Sequence, residues 1–437
     1  MKKKTPPELR RRGYRHFDDV WHGLDDQTQE FKPEDVAAHP FLPFIGRTQV
    51  ERRYKRELGK VRAKERPLRY AAHKDARIYA RYAQIVSELY EQQLADSGIA
   101  ECVVAYRKTA SKGSNITAAK EAFDFIEEFG ECDVVTVDVS SFFENLDHER
   151  LKALWCRLLD CDRLPPDHFA IFKQLTRYRF VDLGRFLDEA EIAKASLSRR
   201  SRPGQTRKRL ADMKNLRELF KREGVVEKHD DTAGIPQGSP ASAVLSNLYM
   251  LDFDAALSKY ATSIQGLYRR YSDDILIVAP AGKSSDVIAR VRHELELVGL
   301  ASNEDKESFH EFRMDDALVV RADVPVEYLG FEFNGARTVL KQKTITRYQQ
   351  RATRRIKNLR RSAQSRGKKR LNRKKIFDRC THIGRQNFVS YARRSARIFY
   401  PDSPKRNPIM RQLRNHVKFV KKRIERAEQW LDENVPT

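Results

Sequence analysis

Residues 266–279 read Gly266-Leu267-Tyr268-Arg269-Arg270-Tyr271-Ser272-Asp273-Asp274-Ile275-Leu276-Ile277-Val278-Ala279. Two apolar runs, Gly266 to Tyr271 and Ile275 to Ala279, flank Ser272-Asp273-Asp274 and predict a pair of buried strands joined at a tight tip. Adjacent carboxylates at such a tip repel one another and invite a divalent cation. An ordinary Asx turn uses the same residue types, so this stretch by itself leaves both readings open. Working outward, another acid closes another buried run: Val134-Val135-Thr136-Val137 ends in Asp138, followed by Val139-Ser140-Ser141-Phe142-Phe143. Three carboxylates from two strand ends can hold two Mg²⁺ ions about 3.5–4 Å apart, with Mn²⁺ as an alternative. Such a pair clamps the attacking and leaving oxygens of a phosphoryl displacement.

Around these strands the pattern is largely helical. Tyr54, Leu58 and Val61, then Ile78, Tyr82, Ile85 and Leu89, predict helix from Gln49 to about Gln93, interrupted by an extended Arg66-Pro67-Leu68-Arg69-Tyr70. Helices are expected at 115–129, over most of 145–225, at 241–248 and at 285–298, with strands around 327–333. A basic section from Lys194 to Arg222, including Arg199, Arg200, Arg202, Arg207, Lys208 and Arg209, contains a Pro203-Gly204 loop signal. In the helical tail, Val417, Val420, Ile424 and Leu431 form one apolar stripe beneath Lys418, Lys421, Lys422 and Arg426.

Charge is placed unevenly. The 437 residues carry 85 Lys+Arg against 61 Asp+Glu, a net +24; residues 341–437 hold 30 of the bases and 6 of the acids, and the first 340 hold 55 of each. A neutral body with a basic appendage points to a polyanion partner, against the plainer reading of a solvated basic surface. No eighteen apolar residues run together, so no membrane partner is expected. Met1-Lys2-Lys3-Lys4-Thr5-Pro6-Pro7 lacks the apolar run of a secretion signal. Five cysteines (102, 132, 156, 161, 380) without CxxC spacing read as reduced thiols of a cytoplasmic protein.

The order of Asp138 after its strand, Gly234-Ile235-Pro236-Gln237-Gly238-Ser239-Pro240, Tyr271-Ser272-Asp273-Asp274, Asn303-x-x-Lys306 and Tyr328-Leu329-Gly330-Phe331 resembles the reverse transcriptases. It is similar to their prokaryotic branch of retrons, group II introns and defence-associated enzymes, from about residue 60 to 340. The resemblance implies an α+β fold of right-hand polymerase architecture: fingers, a palm whose antiparallel sheet carries helices on one face, and a helical basic thumb. The expected organisation is an N-terminal extension at 1–46, fingers and palm at 47–340 and the thumb at 341–437.

The implied activity is an RNA-directed DNA polymerase that adds dNTPs to a primer 3′-hydroxyl, making DNA on an RNA template. Asp138, Asp273 and Asp274 then match the catalytic metal triad, with Val139 beside them in the metal set. Lys306 matches the general acid for pyrophosphate. Phe143 matches the ring under the sugar that excludes a 2′-hydroxyl, leaving Phe142 to core packing. Gln237 and Gly238 match the loop against the incoming nucleotide. Arg66, partnered by Lys60 or by Lys64, matches the triphosphate contact. Tyr106-Arg107 and Lys112-Gly113-Ser114-Asn115 match a finger motif, with Arg107 read as touching template backbone. Tyr328 and Gly330 belong to the primer-grip hairpin. Lys368, Lys369, Arg370, Arg373, Lys374, Lys375, Lys421 and Lys422 are the expected nucleic-acid contacts of the thumb.

Departures narrow the subgroup. Ser272 is small, like the alanine or valine common at that position. Ser239-Pro240 differs from the serine-glutamine of diversity-generating relatives, and retron-type Asn-Ala-x-x-His and Val-Thr-Gly are missing. Ninety-seven residues after the palm leave room for a thumb but not for added maturase and endonuclease domains. Arg66 to Lys74, followed by Asp75, resembles the stand-alone antiphage enzymes, which suggests a dedicated structured noncoding RNA as partner. The alternatives are a template-independent or self-primed nucleotidyl transferase of the same fold, and a non-catalytic, maturase-like RNA-binding protein.

Overall fold

The computed structural model describes residues 12, 14–19, 31–55, 59–107, 114–192, 209–315 and 319–435. Its contacts divide the chain into two units: Met1–Tyr106, Val139–Leu257 and Arg292–Ser302 form unit one, while Arg107–Asp138, Ser258–Val291 and Asn303–Thr437 form unit two. Helices are interspersed with mainly antiparallel sheets, the one parallel pairing among the described strands being Phe44–Lys55 with Arg179–Asp182 in unit one, and there is no βαβ series, so the class is α+β, as expected.

Unit one carries a four-stranded sheet in the order β2-β1-β4-β5, with β1 at Phe44–Lys55, β2 at Lys60–Tyr70, β4 at Arg179–Asp182 and β5 at Glu227–Lys228. The helix expected from Gln49 is instead the long β1–β2 hairpin, in which Gln49 faces Arg66 and Lys55 faces Lys60. Val50, Tyr54 and Val61 suit a strand as well as a helix. Gly59, with φ of 57°, helps reverse the chain, which a three- and four-residue spacing does not anticipate. The extended reading of Arg66 to Tyr70 holds, and Pro67 sits on an edge strand, where its missing N–H costs no ladder bond.

Helix begins at His73 and runs to Asp96, burying Ile78, Tyr82, Val86, Tyr90 and Leu94 along one stripe. Phe17, Ile45, Val181, Phe186, Leu216 and Val225 make a core on the sheet. Of the basic section, 194–208 lie outside the described residues, as do Lys112, Gly113 and the Lys64 side chain.

Unit two is built on a five-stranded, wholly antiparallel sheet in the order β6-β7-β3-β8-β9: Leu267–Tyr271, Asp274–Pro280, Cys132–Asp138, Ser308–Met314 and Val320–Arg321. Central β3 is paired on both sides, and Val134, Val135 and Val137 are buried, which is why it reads as a continuous apolar run. A smaller sheet follows, β10 Val326–Tyr328, β11 Phe331–Phe333 and β12 Thr338–Leu340. Helix α1, Asn115–Phe129, starts where the Ser114 side chain accepts from the Thr117 N–H, and it lays Ile116, Phe123 and Ile126 on both sheets. Phe123 stacks on Phe333 with ring centroids 4.7 Å apart.

The basic region supplies α2 Gln342–Gln364, α3 Arg373–Cys380, α4 Phe388–Phe399, α5 Pro408–Gln412 and α6 His416–Asn434. Residue 340 is no boundary in this unit. Ile345, Ala392, Ala396, Ile409 and Leu413 share one core with Val134, Leu276 and Phe331, each full burial contributing about 1.5–3 kcal/mol for the larger side chains. A second core joins Ile356 and Ile376 to the stripe Val420, Ile424 and Leu431; Val417, half-buried, is not part of it. Among the described residues no helix is long and apolar enough to cross a membrane.

Candidate active site

The tip of the β6–β7 hairpin is a two-residue loop. Tyr271 pairs with Asp274, and Ser272 and Asp273 turn the chain between them, Ser272 at a left-handed φ of 62°. Arg270, wholly buried in β6, donates from Nη1 to the Ser272 carbonyl at 3.0 Å and braces this strained residue. The β3–β7 register sets Asp138 directly opposite Asp274 at the last pair of the ladder. Two like charges in that position destabilise a sheet, so the placement calls for positive charge nearby.

That charge comes first from a lysine. The Asn303 N–H donates to the Asp138 carbonyl at 2.8 Å, and the Lys306 N–H donates back to the Asn303 carbonyl at 2.8 Å. This turn explains the three-residue spacing, because it brings the Lys306 ammonium onto the Asp138 carboxylate. Asp274 is the strained member. Desolvation at the end of the sheet, then the Asp273 and Asp138 carboxylates, raise its pKa to about 6 against the pull of Lys306 and Lys341. Lys341 itself pairs with Glu327.

The donors fit a hard divalent cation in kind, being carboxylate oxygens short of positive charge. Val139 has an apolar, buried side chain, so its carbonyl is the only donor it could add. Among the described residues, however, no three acidic, histidine or cysteine side chains stand together as a ready ligand shell.

A cleft of about 720 Å³ opens beside these groups, and Asp138, Asp274, Lys306, Tyr328, Gly330 and Lys341 line it. Its far lip is the Tyr328–Phe331 hairpin, whose loop residues Leu329 and Gly330 have φ of 48° and 92°, as a type I′ turn requires. Asn115 at the start of α1 donates to the Leu329 carbonyl at 3.1 Å and to the Tyr391 hydroxyl at 2.9 Å, fixing the loop. Tyr328 is buried with its hydroxyl pKa pushed up, by burial first and then by Asp274. The sequence reading overlooked Arg270 and Lys341. Arg270, a charge inside an apolar strand, was a visible signal; Lys341 carried none.

Unit one holds Lys60, Arg66, Phe143, Gln237 and Gly238. Phe142 is buried and Phe143 half-buried, which leaves the Phe143 ring available to a ligand and gives Phe142 to the core. Gln237 donates from Nε2 to Glu144 Oε1 at 2.6 Å, while its carbonyl accepts from the Arg69 N–H at 2.7 Å. Gly238 has φ of 111°, and a Cβ there would stand 2.8 Å from the Arg69 carbonyl, so the loop lies tight on β2. Lys60 and Arg66 are both exposed on β2, six residues apart and therefore on one face. Arg107 is half-buried at the start of unit two.

In the basic region, Lys368, Lys374, Lys375, Lys421 and Lys422 are exposed, and Lys369 is half-buried. Arg370 pairs with Asp432 at 2.8 Å and Arg373 with buried Glu428, so these two also anchor α6. Burial alone would raise the Glu428 pKa; hydrogen bonds from Arg373 and the Leu371 N–H bring it below the usual carboxylate range.

Residues 180–333 match the protein family described as reverse transcriptase (RNA-dependent DNA polymerase). Over that stretch the chain is similar to a reverse transcriptase domain. Gln237, Gly238, Asp273, Asp274, Lys306 and the Tyr328 hairpin fall inside the matched stretch of this domain; Asp138 and Phe143 precede it. RNA-directed DNA polymerase, a nucleotidyltransferase, is the enzyme class of a reverse transcriptase domain.

No curated protein matches the chain in sequence. Among solved structures it is similar to telomerase from Candida albicans in complex with a TWJ fragment of telomeric RNA, at 12% identity, covering 93% of this chain and 68% of that one, with a TM-score of 0.40. Apo telomerase from Candida tropicalis truncated from its C-terminal domain gives 11%, 66%, 53% and 0.39. The RNA-dependent RNA polymerase of a human picorbirnavirus gives 12%, 67%, 43% and 0.35. The chain thus spans about half the length of the truncated telomerase, and no residue role is carried across from these likenesses.

Proposed function

We propose that the protein is an RNA-directed DNA polymerase that adds dNTPs to a primer 3′-hydroxyl. The observation that carries this reading is the opposition of Asp138 and Asp274 at one sheet end, in a chain similar over residues 180–333 to a reverse transcriptase domain. Asp138, Asp273, Asp274 and the Val139 carbonyl would hold Mg²⁺, two ions per site, or Mn²⁺ in its stead. When bound, the ions lower the pKa of the primer hydroxyl and offset charge on the triphosphate.

The chain's own groups do the rest. Lys306 holds a proton at Nζ for the leaving pyrophosphate. Phe143 denies space to a 2′-hydroxyl, Gln237 and Gly238 seat the incoming nucleotide, and Lys60 with Arg66 grips its phosphates. Tyr328, Gly330 and Arg107 position primer and template. The Arg66 to Lys74 likeness supports a setting in cytoplasmic antiphage defence, with a structured noncoding RNA copied into DNA. Primer extension with each dNTP alone and with all four, with and without RNA template, tests the reading. Extension that needs the template and all four dNTPs is expected; single-nucleotide addition without template would overturn it in favour of a template-independent transferase.

A further inference from the structure

Unit two has a second cleft, of about 710 Å³, between α2, α3 and the start of α4. Arg347, Arg351, Arg354 and Arg355 recur at three- and four-residue steps, so α2 turns one arginine face into it; Lys375 and Arg379 of α3 line the other wall. Among the described residues that line it there is no carboxylate. Inside, Tyr348 stacks on half-buried Phe388 with centroids 4.9 Å apart, and Asn358 and Gln386 offer amides, while the Asn387 amide is taken up in capping α4.

A neighbouring cleft of about 650 Å³ shares Arg354 and Asn358 with the first and adds Lys357, Arg361 and Arg423, again with no acid among its described lining. The two clefts flank α2 on either side of an exposed ridge that carries Arg354 and Asn358.

We propose that the acid-free cleft between α2, α3 and α4 docks single-stranded RNA. Cations arrayed along its wall from Arg347 to Arg355, about 12 Å of helix, match successive phosphates, which guanidinium forks bind in bidentate fashion. Its volume, about 710 Å³, lies in the range of small-molecule pockets, roughly 300–1,000 Å³, which suits a few nucleotides of one strand rather than a duplex. Phe388 provides a ring for a base to rest on. The choice of RNA over DNA rests on the polymerase reading; the strand-binding site does not.

The test uses the full chain carrying Asp273→Asn, so that no synthesis competes, with fluorescence anisotropy on a short oligouridine RNA and on an RNA duplex across a salt series. The triple variant Arg351→Gln, Arg355→Gln, Arg379→Gln should bind the single strand at least about tenfold more weakly. Its log–log salt slope should flatten by about 2, at roughly 0.7 for each phosphate that is no longer neutralised, while duplex binding changes little. If circular dichroism shows the triple variant misfolded, Arg379→Gln alone should flatten the slope by about 0.7. Equal losses on strand and duplex, an unchanged slope, or complete displacement of the strand by ATP would each overturn the proposal. A failed polymerase reading shows separately, as absent primer extension by the wild-type protein.

Discussion

Asp274 sits where its neighbours oppose its charge, and that has a sign. A carboxyl raised from 3.8 to about 6 favours the folded state at low pH, and this contribution is lost as pH rises through about 6. Asp274→Asn should therefore stabilise the metal-free protein at pH 7 by about 1 kcal/mol once solvent screening is allowed for, and should give no gain at pH 4. Chemical denaturation in chelating buffer at both pH values reads this directly. Asp273→Asn and Asp138→Asn should abolish nucleotide addition while leaving the fold intact; near-wild-type incorporation in Mg²⁺ by either variant would remove the metal assignment. Phe143→Ala should raise ribonucleotide use relative to deoxyribonucleotide, and an unchanged ratio in a competition assay would mean that sugar choice lies elsewhere.

Between residue and fold, the Tyr328–Phe331 hairpin depends on one side chain outside it. Asn115→Ala removes the donor to the Leu329 carbonyl and to Tyr391, and should cost about 1–2 kcal/mol by thermal melting while raising the KM for primer–template more than it lowers kcat. Elements with a single period were legible in sequence: β3, β7, α1 and the stripe of α6 lie within a residue or two of where the apolar spacing put them. The β1–β2 hairpin was not, because its spacing of Tyr54, Leu58 and Val61 satisfies a helix and its charged residues carry no face. Asp138, Asp273, Asp274 and Lys306 were legible as motif residues, and the structure gives the reason for the spacing of the last. Asn115 stands in a motif, but its hydrogen bonds were not legible, since nothing in a sequence shows which distant carbonyl an amide will meet.

At the scale of the molecule, charge and core divide differently. The charge boundary at 340 predicts that neutral replacement of Lys368, Lys369, Arg370, Arg373, Lys374 and Lys375 weakens nucleic-acid binding and flattens its salt slope, near 0.9 per phosphate on duplex. The four lysines should account for most of that change. Arg370 and Arg373 should show instead as lost stability, because they hold α6 through Asp432 and Glu428. Separate binding and melting curves for the two subsets distinguish these effects. One core crosses that boundary, since Ala392, Ile409 and Leu413 cover the sheet that carries the aspartates, while a second lies wholly beyond it. On the ribosome this becomes a matter of timing: Asp138 emerges early, yet its sheet has no finished hydrophobic cover until Leu413 is made, on the order of half a minute later at about 10 residues per second. A nascent chain spends that interval with the strands that carry the aspartates open to aggregation, so a message truncated before Leu413 should yield a chain whose sheet keeps that face bare.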